Sequence, residues 1–324
     1  MSDQSAVMAV VGAGLMGHGI AQVLAMRAGT VMLYDVSSDA LNLAMTRIRE
    51  SLASLVKHSL VNQAEAGNAI NHIRTTANLK EAVESADFVI EASPENLDLK
   101  KELFADLDRF TRPDTILASN TSGLSIQDMT EHLVHQERVV GSHFFLPAQI
   151  VPLVEVSRGP QTSDETMDRT VSIWRSCGKR PIRIEKDVPG YVANRLQSAL
   201  VREATHLLSE GVASPEDIDM AVQMSFGLRF MVSGPLEQRD LGGLDLNVAL
   251  SREMWPHLNT SPGPQPYVVD KVKRGELGLK SGKGFYDWGS QNPEEVRQER
   301  TERLIGVMLK LGLWPESTKT GDKT

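Results

Sequence analysis

The residues Gly12-Ala13-Gly14-Leu15-Met16-Gly17 form a GxGxxG pattern that follows an apolar run and opens a helical pattern. In such a strand–turn–helix, the first glycine allows a tight turn and the second lets a pyrophosphate approach the backbone. The third glycine lets the helix pack on the strand, and free N–H groups at the helix start bind the anion. The pattern alone is weak evidence, so its position between a strand and a helix carries the prediction of a dinucleotide site.

The type of dinucleotide follows from a second apolar run, residues 30–35, which ends in Asp35, 18 residues after Gly17. A carboxylate at this place accepts hydrogen bonds from the adenosine ribose hydroxyls and repels a 2′-phosphate. We therefore predict that the cofactor is NAD rather than NADP. The alternative is a glycine-rich turn followed by a solvated surface aspartate.

Short apolar runs alternate with helical patterns in the first half of the chain. The predicted strands are residues 6–11, 30–35, 88–92, 115–119, 139–143, 153–156 and 181–185. The predicted helices are residues 15–27, 39–58, 97–110 and 125–132, and one that begins after Ser163. Because this alternation is typical of parallel βαβ units, we predict an α/β fold with a doubly wound sheet.

Strand signals nearly vanish after Gly190. Helices are predicted at residues 191–210, from Ser214-Pro215 onward, and at residues 294–311, with a frayed polar end from Glu316. The sequence thus predicts three parts. They are an α/β domain over residues 1–188, an all-helical domain over 189–290, and a terminal helix with its tail over 291–324.

Composition excludes several classes of partner. The 42 acidic against 34 basic side chains give a formal charge of −8, which disfavours nucleic acid. The single cysteine, Cys177, excludes an intrachain disulfide and a cysteine metal cage, so no metal is predicted. With no apolar run near the roughly 20 residues that span a bilayer, and no secretory pattern in residues 1–5, we expect a cytoplasmic protein without a membrane partner.

A histidine and a glutamate are the candidate catalytic pair. His143 ends a predicted strand at the carboxyl edge of the sheet, where open α/β sheets bind ligands. Glu155 lies twelve residues later in the apolar strand PLVEV, where an unpartnered carboxylate is costly. We predict that the imidazole of His143 is this partner. Glu155 would then orient His143 and stabilise its imidazolium. A buried structural histidine and an edge-strand glutamate are the equal alternative.

Two further polar positions are candidates. Ser122 belongs to the segment SNTS, which follows the strand at residues 115–119 at the same edge of the sheet. Asn194 shares one face of a predicted helix with Tyr191, Ser198 and Val201. A plain turn and a solvated asparagine are the alternatives.

Seven segments, in this order, resemble the NAD-dependent L-3-hydroxyacyl-CoA dehydrogenase family. They are GAGLMGHGIA (12–21), PENLDLKKELF (94–104), SNTSGL (119–124), GSHFFLP (141–147), PLVEV (152–156), GYVANRL (190–196) and KSGKGFYDW (280–288). The resemblance implies an N-terminal Rossmann-type NAD-binding domain and a helical C-terminal domain that binds substrate and forms a homodimer. The implied site residues are His143 and Glu155 as catalytic pair, Ser122 and Asn194 at the substrate, and Glu95 and Lys100 at the cofactor.

Three departures from this family concern the substrate. Leu146 stands where the histidine motif usually has Asn, and residues 51–58 contain Lys57 as their only Lys or Arg, where acyl-CoA enzymes are lysine-rich. CoA phosphates call for several cations. Segments 194–219 and 227–237 resemble the branch that contains lambda-crystallin, an L-gulonate 3-dehydrogenase. Arg195 and Arg229 are candidate partners for a free carboxylate.

The sequence therefore predicts an NAD-dependent dehydrogenase that reversibly oxidises a 3-hydroxyl to a 3-keto group, with a small free 3-hydroxy acid favoured as substrate. One alternative is a 3-hydroxyacyl-CoA dehydrogenase proper, which acts on thioesters. The other is a structural protein that binds NAD without turnover, since fold alone does not establish catalysis.

Overall fold

The computed structural model describes residues 6–27 and 29–314, and the chain divides into two compact units. The first unit comprises Met1–Ala193 and Thr301–Thr324, and the second comprises Asn194–Arg300. The expectations for residues 1–5 and for the frayed end from Glu316 lie outside the described residues.

The first unit contains one eight-stranded sheet with the strand order β3-β2-β1-β4-β5-β6-β7-β8. The strands are β1 Val7–Val11, β2 Thr30–Tyr34, β3 Ile73–Thr76, β4 Phe88–Glu91, β5 Ile116–Ser119, β6 Val139–Phe144, β7 Leu153–Arg158 and β8 Arg180–Ile184. All neighbouring pairs are parallel except β6 and β7, which are antiparallel. The expectation of parallel units is wrong here, because residues 145–152 are too few for a crossover.

Helices cover both faces of this sheet. They are α1 Gly17–Ala25, α2 Ser38–Lys57, α3 Gln63–His72, α4 Leu79–Val83, α5 Leu97–Phe110, α6 Ile126–Thr130 and α7 Asp164–Ser176. Met8 and Val10 of β1 pack in one core cluster and Ala9 and Val11 in the other, as expected when a parallel strand is buried on both faces. The α/β prediction is confirmed.

The predicted elements differ from the observed ones by a few residues at their ends, and α3, β3 and α4 were not predicted. The strand β3 is short, and its central residues Arg74 and Thr75 are exposed, so it lacks the apolar pattern of a buried strand. A helix-start signal was present at Asn62 and Glu65, which form a reciprocal capping box. Ser125 and Ser163 cap α6 and α7 as expected.

The second unit is helical, as predicted. Its helices are α8 Ala193–Ser209, which begins in the first unit, α9 Pro215–Gln223, α10 Phe226–Phe230, α11 Pro235–Gly242, α12 Leu244–Met254 and α13 Pro266–Lys273, followed by the start of α14 Pro293–Lys310. None of α8–α13, all of whose residues are described, buries a side chain. A helix in a closed core buries one stripe, so these helices leave their apolar faces accessible in the single chain.

The C-terminal part of α14 belongs to the first unit. Ile305 and Met308 are buried in the core cluster that contains α1, and Glu302 lies 3.6 Å from the ammonium of Lys57 on α2. Throughout residues 6–27 and 29–314, no helix is both long and apolar enough to cross a bilayer.

Candidate active site

The glycine-rich turn between β1 and α1 has the geometry that its sequence predicts. Gly12 has φ +107, and its N–H donates to the Tyr34 carbonyl at 2.8 Å. A Cβ on Gly17 would lie 1.7 Å from the Gly12 carbonyl oxygen, so only glycine fits there. A Cβ on Gly14 would meet nothing within 4 Å. Gly12 and Gly17 therefore shape the turn, while Gly14 leaves its approach open.

A cavity of about 550 Å³ opens beside this turn at the carboxyl ends of β1, β2 and β4. Its lining includes the predicted cofactor residues Gly12, Gly14, Leu15, Met16, Asp35, Glu95 and Ser122. Gly17 and Lys100 are not part of the lining. Among residues 6–27 and 29–314, no three His, Cys, Asp or Glu side chains are grouped so as to hold a metal ion.

Asp35 joins the end of β2 to the glycine-rich turn. Its Oδ2 accepts the N–H of Ala13 at 2.8 Å, and its Oδ1 accepts the N–H of Ser37 at 2.9 Å. Each carboxylate oxygen has a second lone pair, so both keep acceptor capacity for ribose hydroxyls. The side chain thus has a structural contact that the sequence did not indicate, in addition to its place on the cavity wall.

A buried ion pair lies behind the cavity. Lys100 is 1% exposed, and its Nζ lies 2.6 Å from Oε1 of Glu91 and 3.5 Å from Oε2 of Glu95. Glu91 also accepts hydrogen bonds from Ser93 and Ser119. Lys100 therefore reaches the cavity wall through Glu95. The sequence analysis missed Glu91, although a glutamate that ends the apolar strand FVIE was an available signal.

Glu95 holds the turn that contains Ser122. Its Oε1 accepts the Thr121 hydroxyl at 2.6 Å and the Ser122 N–H at 2.8 Å. Burial raises the pKa of Glu95, but the hydrogen bond from Thr121, the charge of Lys100 and the Ser122 N–H together bring that pKa below its ordinary value. The ionised carboxylate thus fixes this turn at the cavity edge.

The structure brings His143 and Glu155 together on the antiparallel strands β6 and β7, where they are directly paired. The His143 Nδ1 lies 2.8 Å from Oε2 of Glu155, and both side chains are buried. The N–H groups of Val192 and Ala193 donate to Oε1 of Glu155 at 3.0 and 2.8 Å. Both oxygens of this buried carboxylate therefore accept hydrogen bonds.

These contacts favour an ionised Glu155 and a proton on Nδ1 of His143. Burial raises the pKa of Glu155, but hydrogen bonds from His143, Ala193 and Val192 outweigh it and bring that pKa below its ordinary value. An ionised carboxylate only accepts, so Nδ1 of His143 carries a proton, and in the neutral imidazole Nε2 is then the nitrogen with the lone pair. An imidazole held in this tautomer can take a proton from a hydroxyl group.

Aromatic side chains lie beside the imidazole of His143. Phe145 packs against the imidazole with ring centroids 4.6 Å apart, and Tyr191 lies on it at 5.7 Å. Phe144 instead packs against Trp174 in the core, 4.8 Å between centroids, because successive strand residues point to opposite faces. Leu146 is exposed.

Two polar residues that the sequence analysis missed support the strand end at His143. Asn120 Oδ1 accepts the N–H of Phe144 at 2.9 Å, so the segment after β5 is tied to β6. The Lys179 ammonium donates to the carbonyls of Ala148 and Val151 at 2.6 and 2.8 Å, which holds the loop after β6. Burial lowers the pKa of Lys179 to about 7.

The remaining predicted residues lie on the helices of the second unit. Asn194 is the second residue of α8 and the first residue of that unit, and Arg195 follows it. Arg229 lies in α10.

Comparison with known proteins assigns both halves of the chain. The family model of the 3-hydroxyacyl-CoA dehydrogenase NAD binding domain matches residues 7–188, and that of the 3-hydroxyacyl-CoA dehydrogenase C-terminal domain matches residues 190–288. Together the two models cover most of the sequence.

Two curated relatives represent two kinds of substrate. The 5-formyl-3-hydroxy-2-methylpyridine 4-carboxylate 5-dehydrogenase of Mesorhizobium japonicum is 35% identical over 300 residues, which are 92% of this chain and 96% of that protein. The probable 3-hydroxybutyryl-CoA dehydrogenase of Bacillus subtilis is 40% identical over 280 residues, which are 86% of this chain and 96% of that protein.

Solved structures show the same two kinds. A crystal structure of the pyridine carboxylate 5-dehydrogenase, described as an NAD⁺-dependent dismutase, superposes with a TM-score of 0.88 at 33% identity, covering 94% of this chain and 98% of that one. The (S)-3-hydroxybutyryl-CoA dehydrogenase of Ralstonia eutropha superposes with a TM-score of 0.73 at 34% identity, covering 88% and 99%.

Proposed function

The chain belongs to the 3-hydroxyacyl-CoA dehydrogenase family and is an NAD-dependent dehydrogenase that acts on a CH–OH group, and we propose that its substrate is a small free hydroxy acid. In this proposal the hydroxyl is on C3, with the carboxyl carbon as C1, and it is oxidised reversibly to a ketone. A thioester of CoA is the alternative substrate.

The residues at the cavity fit a dinucleotide. The turn at Gly12 is left-handed and Gly14 leaves open space, so a pyrophosphate can approach the free N–H groups at the start of α1. In the proposal NAD is held by this turn, by Asp35 at the ribose, and by Glu95 with Lys100 behind it. When bound, NAD supplies the hydride acceptor.

The chain's own residues manage the proton. His143 takes the hydroxyl proton on Nε2 as general base and returns it in the reverse reaction. Glu155 stabilises the imidazolium through the Nδ1–H group, and Ser122 and Asn194 position the substrate oxygen. The observation that carries this assignment is the 2.8 Å contact between Nδ1 and the buried, ionised Glu155 carboxylate.

A free acid is favoured by charge. Lys57 is the only Lys or Arg in residues 51–58, and it already pairs with Glu302 at 3.6 Å. A CoA phosphate site needs several charge-assisted contacts, whereas a carboxylate needs one. The Mesorhizobium relative supports the same choice, because its name describes a small ring with a carboxylate and no CoA.

The deciding experiment compares kcat/KM for L-3-hydroxybutyryl-CoA with that for L-gulonate, L-carnitine and 3-hydroxybutyrate, followed by the absorbance of NADH. We expect a free acid to be preferred. A tenfold preference for the thioester, about 1.4 kcal/mol in transition-state stabilisation, would place the protein with the acyl-CoA enzymes.

A second candidate function is oxidation of an aldehyde on a small carboxylate-bearing ring. It is favoured by the superposition, since the enzyme described as a dismutase has the TM-score of 0.88. The hydrate of an aldehyde carries two hydroxyls on one carbon, so His143 can take the proton of one while that carbon loses a hydride to NAD⁺. The products are a carboxylic acid, NADH and a proton. A panel of pyridine aldehyde carboxylates tests it by product analysis, because a dismutase leaves no net NADH, and formation of neither acid nor alcohol from any of them excludes it.

We further propose a homodimer formed through the second unit. Its helices bury no side chain in the single chain, and Val232, Leu236 and Leu241 are between 75% and 85% exposed. Large apolar side chains exposed to this extent suggest a surface that a protein partner covers. Light scattering should give twice the mass of 35.6 kDa, and a monomer at micromolar concentration would contradict the proposal.

The proposed location is the cytoplasm, supported by the single cysteine, which permits no intrachain disulfide. Cys177 is buried, and burial raises the pKa of its thiol to about 11, so it is a poor nucleophile. Cell fractionation tests the location, and recovery in an organelle or at a membrane contradicts it.

A further inference from the structure

The turn that ends the first unit, residues 187–193, has an unusual backbone. Gly190 and Tyr191 are consecutive residues with φ of +78 and +49. The left-handed region suits glycine, but in a residue with a Cβ it is disfavoured and needs support from its surroundings. The Tyr191 N–H donates to the Val188 carbonyl at 3.1 Å, and the side chain supplies further support.

The Tyr191 side chain, 1% exposed, is wedged into a notch in the sheet. The notch exists because Gly141 has no side chain, as a Cβ there would lie 3.2 Å from the Tyr191 Oη and 1.9 Å from the Ser157 Oγ. Gly141 pairs with Ser157, and His143 pairs with Glu155. The two pairs are two residues apart along β6 and β7, so they lie on the same face of the sheet. The notch therefore adjoins the catalytic pair.

The backbone that follows Tyr191 contacts the Glu155 carboxylate. The next two N–H groups, of Val192 and Ala193, both donate to Oε1 of Glu155. The near side of the turn is fixed as well, because Oδ2 of Asp187 accepts the Ser125 hydroxyl at 2.9 Å and the Ile126 N–H at 2.7 Å. The turn thus connects the start of α6 to the catalytic carboxylate.

We infer that Tyr191 is a positioning residue whose buried ring holds this turn so that Val192 and Ala193 keep the Glu155 carboxylate directed at His143. The inference rests on the proposed role of His143 as general base. The ring is the anchor rather than the hydroxyl, because neither the Tyr191 nor the Ser157 hydroxyl makes a hydrogen bond of good geometry to a described residue.

The test is a set of variants measured by kcat, KM, the Kd of NAD and thermal stability. Tyr191→Leu, which loses the ring, should lower kcat by about 10- to 100-fold, since small misplacements of catalytic groups have effects of this size. The Kd of NAD should stay within about threefold, because the turn does not line the NAD cavity. Tyr191→Phe, which keeps the ring, should restore kcat to within about threefold of the wild type.

A double-mutant cycle identifies the route of the effect. If Tyr191 acts through Glu155, Tyr191→Leu should lower kcat little or not at all in a Glu155→Gln background. Fully additive losses would overturn the inference, as would a loss of activity in Tyr191→Phe equal to that in Tyr191→Leu. If Glu155→Gln itself keeps full activity, it is the proposed function that fails, so the two failures are distinguishable.

Two further variants make the result independent of folding. Gly141→Ala places a Cβ 1.9 Å from the Ser157 Oγ and 3.2 Å from the Tyr191 Oη, so it crowds the notch and should reproduce the loss of kcat if Tyr191→Leu does not fold. Ser142→Ala is the matched control, because Ser142 is buried on the same strand but accepts the Trp174 indole N–H at 3.0 Å on the opposite face. It should lower stability and leave kcat unchanged. Wild-type kcat in Gly141→Ala would contradict the inference.

Discussion

Two glutamates of the same sheet, Glu91 at the end of β4 and Glu155 in β7, are both fully buried but have different partners. Glu91 lies 2.6 Å from the ammonium of Lys100, which also approaches Glu95. Glu155 lies 2.8 Å from an imidazole nitrogen of His143 and accepts two backbone N–H groups.

The partner decides what a buried carboxylate can do. Lys100 contacts both Glu91 and Glu95, so the cluster at Glu91 is suited to hold Glu95 and the Ser122 turn in place. An imidazole exchanges a proton near neutral pH, so the cluster at Glu155 is suited to transfer one. Equal burial therefore goes with a supporting role in one region and, in the proposed function, a chemical role in the other.

The variant expected to distinguish the roles of the Glu155 and Glu91 clusters most clearly is His143→Gln. Loss of the general base should lower kcat by about 10²–10⁴-fold, while the Kd of NAD stays near that of the wild type. His135→Gln is the control, since His135 is a half-exposed histidine that pairs with Asp108 at 3.3 Å. Near-normal kcat of His143→Gln on the true substrate would break the comparison.

We expect substitutions in the Glu91 cluster to change the stability of the protein. Lys100→Met leaves the buried Glu91 without its cation and should lower the free energy of unfolding by about 3–5 kcal/mol. The neighbouring Lys101 makes only a surface pair with Glu131 at 3.4 Å, so Lys101→Met should change it by less than about 1 kcal/mol. Equal small losses in chemical denaturation would show that the buried pair has no special role.

A third carboxylate, the half-buried Asp35, extends the comparison because its proposed partner is the cofactor. Asp35→Ser combined with Val36→Arg, at an exposed position on the cavity wall, should move the ratio of kcat/KM for NAD over NADP towards NADP by about 10- to 100-fold. Asp35→Asn separates charge from structure, because an amide oxygen still accepts one of the N–H groups that the two carboxylate oxygens now bind. Equal wild-type kcat/KM for both dinucleotides contradicts this role.

The smallest expected effect is the pH dependence of stability. Because the pKa of Glu155 in the folded protein lies below its ordinary 4.5, its ionised form contributes stability above that pH, which is lost as the pH falls through the lowered pKa. The free energy of unfolding of the wild type should therefore fall more steeply on acidification below 4.5 than that of Glu155→Gln. The difference is at most about 1.4 kcal/mol per pH unit. Parallel acid titrations of the two proteins would contradict it.

The features that the sequence predicted best are those that short segments encode. The turn from Gly12 to Gly17 needs glycine at fixed spacing, the central strands of the first unit are short apolar runs, and its helices have apolar residues at helical spacing. The pairing of His143 with Glu155 was also within reach, because an apolar strand with one carboxylate requires a partner. The catalytic use of that pair stays a prediction.

The features that sequence reasoning missed join residues that are far apart in the chain. Nothing local indicates that Asn120 supports Phe144 or that Lys100 turns inward to Glu91. The reversed direction of β7 and the notch at Gly141 exist only once β6 and β7 are paired in register.

The amino-acid sequence by itself determined the α/β sheet, the glycine-rich turn, the acidic residue at the end of β2 and the helical second half, because these follow from backbone freedom and from the period of apolar residues. Tertiary structure alone decided that the buried carboxylate of Glu91 meets the ammonium of Lys100. It also decided which backbone N–H groups reach Glu155. The physical reason is that burial makes an unpaired charge costly, while only the folded chain specifies which partner is near enough to pair with it.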